Sequence, residues 1–224
     1  MIIQRLKPPL RVLRRALGLT PMGYVLSQLT SRGVPLARLD ALEVFGARGE
    51  FHTLDYAAQV RSLEVWEVDP ACEADLRRNL PRARVKITDA FAEIRTVPGP
   101  YGLIVIDNPQ STYGAWCEHF DLFPEVFRLV GEEGILVLNV IPQAPAVVRA
   151  EYPYLFNPEH LARRTAFYHT ETPEQVALDH MAAVYTKLAE ENGLRVDWWF
   201  NRRRALFVDY LVLHLTRRTP APRL

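Results

Sequence analysis

The residues with the clearest capacity for chemistry lie between positions 43 and 110 of this 224-residue chain. Phe45-Gly46-Ala47-Arg48-Gly49 is a glycine-containing turn at the end of a short apolar run. Such a turn presents backbone N–H groups, and the N-terminus of the helix that follows, to a ligand. Glu67 and Asp69 close the next apolar run, where a carboxylate can accept hydrogen bonds from ribose hydroxyls. Either acid meets that requirement, and Asp69-Pro70 also reads as a helix cap followed by proline at the first helical position. Asp89, in Ile87-Thr88-Asp89-Ala90, is placed to cap a helix as well. The run Leu103-Ile104-Val105-Ile106 delivers Asp107, followed by Asn108-Pro109-Gln110, to the carboxyl edge of a sheet, where ligands bind in open α/β folds. Asp107 can act there as a general base, an orienting group or a metal ligand. No second Asp nearby completes a pattern for a divalent ion.

The elements that position these groups follow from the apolar runs. Residues 42–45, 63–66, 85–87, 103–106 and 135–140 are short, rich in Val, Ile and Leu, and bounded by turn residues, as buried parallel strands are. Helical text fits between them at about 50–60, 71–80, a short piece after Asp89, and 115–129. The alternation predicts a doubly wound α/β fold. Residues 141–171 break the rhythm with prolines and aromatics, and predict a lid or substrate insertion with a helix from Pro158 to about Tyr168. Thr172-Pro173-Glu174-Gln175 reads as a capping box for a helix reaching about Asn192, with Gly193 as its stop. Two β-rich runs, 195–200 and about 205–215, predict a final antiparallel hairpin turning at Asn201-Arg202-Arg203-Arg204. Residues 1–40 read as a helical extension, 41–217 as the α/β domain and 218–224 as a tail.

Charge is uneven. Arg5, Lys7, Arg11, Arg14, Arg15, Arg32 and Arg38 give residues 1–39 a charge of +7 with no acid, which leaves −6 for the rest of a chain of net +1. In that extension Leu10, Leu13 and Leu17 share a helical face, and Thr20-Pro21 opens a second helix with Met22, Val25, Leu26 and Leu29 at helical spacing. A helical pair covering one end of the sheet is the expected role; a basic face for nucleic acid or another anionic surface is the less favoured one. Helix stops at Gly18 and Gly33 favour a retained element over a transit peptide. No apolar run is long enough to span a bilayer. Cys72 and Cys117 lie far apart with no metal spacing, which points to a reducing, cytoplasmic setting.

With those motifs in order, the chain from 41 to about 217 resembles class I (Rossmann-like) S-adenosylmethionine-dependent methyltransferases. The resemblance implies a seven-stranded, mostly parallel sheet with a reversed last strand. It implies that S-adenosyl-L-methionine is bound by Glu43, Phe45, Gly46, Ala47 and Gly49 of the first motif, with Ala47 standing where a glycine is usual and Gly46 one residue early. Phe45 fits the LFAG variant of some nucleic-acid methyltransferases. Counting back from Arg77-Arg78-Asn79 favours Glu67 as the ribose acid, with Asp69 left as a cap. Asp89 and Ala90 stand where the family contacts adenine. Asp107-Asn108-Pro109-Gln110 departs from the (D/N)PP(Y/F) signature of amino-group methyltransferases.

Methyl transfer from a sulfonium is an in-line displacement, so the protein must mainly align the acceptor and exclude water. An oxygen acceptor also needs a base. Asp107, Tyr113, Glu118 and His119 follow the fourth strand; Tyr152, Tyr154, His160, Tyr168 and His169 lie in the insertion, and His180 in the helix after it. By position, Asp107, His119 and His169 are the catalytic candidates. Phe120, Phe123 and Phe127 have helical spacing and read as core, and Trp198 and Trp199 should face opposite sides of a strand. The expected acceptor is a small molecule, with a sugar or glycan-linked metabolite fitting an aromatic insertion. Three rivals remain: a non-catalytic module of the same fold that binds cofactor or a partner protein; an aminopropyl transferase; and an NAD(P)-binding oxidoreductase. The last is disfavoured by His52 at the third-glycine position and by the lack of a YxxxK pair.

Overall fold

The structure, a computed structural model, describes residues 8–218. Arg5 and Lys7 of the basic extension and residues 219–224 of the tail lie outside them. Helices α1 (Pro8–Ala16) and α2 (Pro21–Ser31) precede strand β1 (Asp40–Val44). Then follow α3 (Thr53–Tyr56), β2 (Ser62–Glu67), α4 (Glu73–Asn79), β3 (Arg84–Ile87), α5 (Ala90–Glu93) and β4 (Tyr101–Ile106). A two-stranded hairpin, β5 (Thr112–Tyr113) and β6 (Trp116–Cys117), leads to α6 (Glu125–Arg128) and β7 (Val130–Val140). The chain closes with α7 (Pro158–Tyr168), α8 (Leu178–Glu191), β8 (Leu194–Arg203) and β9 (Asp209–Arg217).

The main sheet has seven strands in the order β3-β2-β1-β4-β7-β9-β8. The first five run parallel, and β9 is antiparallel to both β7 and β8. Strand alternation divides the interior into two layers. Leu42, Val44, Trp66, Ile104 and Ile106 face α7 and α8, which contribute Tyr168, Met181, Ala182 and Tyr185. Ala41, Leu63, Val65, Leu103 and Val105 face α2, α3 and α4, with Met22, Val25, Leu29, Tyr56 and Leu76. Trp198 joins this second layer and Trp199 the first, the expected opposition on β8. The α2 cap forms as its sequence predicts: Thr20 Oγ1 accepts from Gly23 N at 2.9 Å, with Pro21 behind it.

Several elements differ from the sequence expectation. The helix expected over 50–60 is only Thr53–Tyr56, because the chain must turn back so that Arg61 N reaches Leu39 O at 2.9 Å at the entry to β2. The helix expected over 115–129 is replaced by β5–β6, a 3-10 turn at Phe120–Leu122 and α6. Gly114, at φ 58°, makes the hairpin turn, and Pro124 has no N–H to continue a helix through Phe123. Phe120 and Phe127 are buried all the same, so their spacing reports burial without a continuous helix. The capping box at Thr172 does not form. Residues 172–175 make a single turn, with Gln175 N on Thr172 O at 2.9 Å; Val176 is then buried with its N–H on Pro142 O at 2.8 Å, and α8 starts at Leu178. The final hairpin turns at 204–208, later than expected, since Arg202 and Arg203 still pair with Tyr210 and Asp209.

Candidate functional site

The first-motif turn follows β1, between the carboxyl ends of β2 and β4. Its backbone is left-handed at Phe45 (φ 67°) and Ala47 (φ 45°), a conformation that costs a residue with a Cβ roughly 1–2 kcal/mol. The surroundings hold it there. Gly46 N donates to Trp66 O at 2.9 Å, and Asn79 Nδ2 donates to Arg48 O at 2.9 Å. Glu67 closes the loop from β2: Oε2 accepts from Ala47 N at 2.7 Å, and Oε1 from Val68 N and Asp69 N at 2.8 and 2.9 Å. Gly46 is required by close packing, since a Cβ there would lie 2.1 Å from Val65 Cγ1. Gly46→Ala is therefore expected to destabilise the protein by about 1–3 kcal/mol, measured by denaturant unfolding. Gly49, at φ 62°, is similarly tight against Leu80 Cδ1 at 2.7 Å.

Asp69 caps the 3-10 turn Pro70–Cys72, accepting from Ala71 N at 2.9 Å. Asp89 caps α5, accepting from Phe91 N at 2.9 Å, with Ala90 buried beneath it. Above these strand ends Phe91 stacks on Trp116 of β6, centroids 4.1 Å apart, and the Phe45 ring lies 5.9 Å from Phe91 and 6.1 Å from Tyr113. The β5–β6 hairpin thus walls one side of the seat with aromatic rings.

A second network lies on the α3 face of the sheet, where alternation puts both Glu43 and Asp107. Glu43 is fully buried and accepts from Thr53 Oγ1 at 2.8 Å and Tyr56 OH at 2.5 Å. His52 Nε2 is 3.2 Å from Glu43 and 3.5 Å from Asp107, while Nδ1 is 2.9 Å from Tyr210 OH. Asp107 also accepts from both terminal nitrogens of Arg204 and from Asn139 Nδ2. Burial works against its charge, but His52 and Arg204 outweigh that and hold the carboxyl below the usual range. Glu43, His52 and Asp107 bring ligand-type atoms within 4.8 Å of one another, yet the carboxylate oxygens are already engaged by protein donors.

The other catalytic candidates sit elsewhere. His119 is buried in a cage of Phe120, Phe123, Phe167 and Tyr185, with Nε2 on Tyr185 OH. Burial, aided by the Arg164 charge, pushes it down to about 4. His169 is exposed as the left-handed C-cap of α7. The structure therefore joins Ala47 to Glu67, and Glu43 to Asp107, but brings neither His119 nor His169 to them through any contact it shows. His52, Tyr56, Asn139, Arg204 and Tyr210 complete the Glu43–Asp107 network without having been singled out by sequence. Asn139 alone left a signal, as a polar residue inside the apolar run of β7.

No family model and no curated protein matches this sequence. Its fold is similar to that of magnesium protoporphyrin IX methyltransferase (ChlM) from Synechocystis PCC 6803, solved with bound SAH. The two share 12% identity over 88% of this chain and 82% of that one, with a TM-score of 0.56. It is also similar to the N-methyltransferase NodS from Bradyrhizobium japonicum WM9 in complex with S-adenosyl-L-homocysteine. There the identity is 13%, the coverage 89% of each chain and the TM-score 0.55. The chain has the Rossmann-like fold of class I methyltransferases, with the reversed strand β9 between β7 and β8. Both cysteines are free, and among the described residues no helix is long and apolar enough to cross a membrane.

Proposed function

We propose that this protein is an S-adenosyl-L-methionine-dependent methyltransferase acting on a small-molecule acceptor. The observation that carries the reading is the first-motif turn. Phe45 and Ala47 keep the left-handed backbone usual for glycine, and Glu67 holds the turn in that shape from the next strand. Strain of this kind concentrates at ligand sites. The residues present fit the cofactor. A carboxylate offers about four lone-pair positions, and Glu67 uses three on backbone N–H groups, leaving an acceptor for a ribose hydroxyl. Asp89 uses one oxygen on its cap and is otherwise exposed beside the Phe91–Trp116 wall, where an adenine amine can be met. Val68, exposed between Glu67 and Asp69, offers apolar surface to a purine ring. The reversed strand β9 supports this reading over a nicotinamide-binding one.

The cofactor supplies an electrophilic methyl group; alignment and exclusion of water fall to the protein. Asp107, already neutralised by Arg204 and held below its ordinary range, is suited to orienting the acceptor rather than to removing its proton. The acceptor seat lies beyond it. Ser111 Oγ donates to the Tyr154 carbonyl at 3.5 Å, which brings the backbone of the insertion to the loop after β4, and the Tyr154 ring on that segment is exposed. An aromatic ring in that place can stack on a sugar or another flat-faced metabolite.

Transfer of a labelled methyl group tests the proposal. The chain is incubated with methyl-labelled S-adenosyl-L-methionine and cell extract separated into metabolite, RNA and protein fractions. Label is expected in the metabolite fraction. Label confined to RNA or protein overturns the acceptor class, and no label in any fraction favours the non-catalytic module.

A further inference from the structure

The N-terminal helix is not absorbed by the site described above. Its inner side is fixed to the body: Arg15 Nε donates to Asp55 at 2.8 Å, and Nη2 reaches the carbonyl of Phe51 at 3.2 Å. At 3.6 residues per turn, Leu10, Leu13 and Leu17 fall within an arc of about 60° on the side opposite Arg15. Leu17 keeps the helical bond, its N–H on Leu13 O at 3.0 Å. These three leucines are 45%, 53% and 61% exposed, and Leu19 beside them 58%. A helix held by its polar side with its leucine stripe in solvent is the reverse of a helix packed to stabilise a core.

We propose that this face of α1 docks on an anionic lipid surface. Charge selects the occupant. Residues 1–39 carry +7 and no acid, so a second copy of the same face would bring like charges together. Arg15 is neutralised by Asp55, but the bond Arg14 makes is to the uncharged carbonyl of Leu19, so its positive charge remains beside the stripe. In sequence, Ile3, Arg5, Leu6 and Lys7 precede the helix, so the composition there is also basic and apolar. A nucleic acid would answer the cations and leave the leucines in water. An anionic bilayer answers both, taking the apolar face into the headgroup boundary and the arginines at its surface. The inference is independent of the methyltransferase reading.

Co-sedimentation of the full chain with lipid vesicles tests it. Vesicles of phosphatidylcholine mixed with phosphatidylserine should pellet the protein at low salt, and phosphatidylcholine alone should not. Leu13→Glu combined with Leu17→Glu should lower the bound fraction about tenfold or more, with an unchanged thermal melt because both positions are exposed. Equal pelleting of the double variant overturns the proposal, as does failure of the wild-type chain to pellet with anionic vesicles. A dimer in sedimentation velocity that the double variant abolishes reassigns the face to a second copy.

Discussion

Arg164→Ala is expected to lower the unfolding free energy by about 3–5 kcal/mol, a large share of the 5–15 kcal/mol that holds a domain of this kind together. Arg164 and Glu118 are fully buried and joined at 2.7 Å. The same guanidinium donates to Pro173 O at 2.8 Å and Ile141 O at 2.6 Å, so one side chain ties α7 to the end of β7 and to the segment before α8. Removing it leaves Glu118 with His160 Nε2 alone at 2.8 Å and strands two carbonyls. Glu118 Oε2 is already without a partner, so the site has no spare donor to compensate. Arg164→Lys should recover little, since an ammonium cannot reproduce the planar fork. Chemical denaturation of each variant measures the loss.

The same pair sets an acid limit. Burial opposes the Glu118 charge, but Arg164 and His160 overcome it and hold the carboxyl at about 2 against an ordinary 4.5. The unfolded chain binds this proton near pH 4.5 and the folded chain only near 2. The stabilisation is therefore whole above about 4.5 and lost as pH falls toward 2, an order of about 3 kcal/mol. His119 acts earlier: the unfolded side chain takes a proton near 6.5 and the folded one near 4. Stability should begin to fall below pH about 6.5 and fall more steeply below about 4.5, as read by melting temperature across pH. Glu118→Gln should remove the second step.

Much of the frame was legible because local chemistry and tertiary position agreed. Helix α7 starts at Pro158 as expected, with Asn157 Oδ1 capping it by accepting from Glu159 N at 2.9 Å, and Asp69 and Asp89 capped where proline and small residues followed them. The reversed strand was readable from two β-rich runs at the end of the chain. What stayed hidden depended on contacts between distant residues. Arg204 read as a turn residue until β9 carried that turn to Asp107, and Tyr210 reaches His52 across 158 positions. Glu118 and His119 sat in text that read as a helix because Phe120, Phe123 and Phe127 recur at helical spacing. That spacing instead serves two short pieces divided at Pro124.

The second large effect is expected at the cofactor seat. Glu67→Ala leaves the N–H groups of Ala47, Val68 and Asp69 to solvent and removes a carboxylate that ties down the left-handed loop. It also removes the acceptor proposed for the ribose. A charge-assisted hydrogen bond contributes about 1.5–3 kcal/mol, and these solvent-exposed ones stand at the lower end, so with the ribose acceptor also lost S-adenosyl-L-methionine affinity should fall about 10–100-fold. Asp69→Ala loses one cap bond, with about 1 kcal/mol of local stability. Its affinity should stay within about threefold of the wild-type value, because Asp69 makes its bond inside its own turn. An equal or larger loss at Asp69 would mean that the ribose sits on the other acid.

Calorimetric titration of the wild-type chain with S-adenosyl-L-methionine, S-adenosyl-L-homocysteine and NADH tests the account most directly. Saturable binding of both sulfur compounds at sub-millimolar concentration, with none of NADH, is the predicted result. Failure of both sulfur compounds to bind in that range would contradict it.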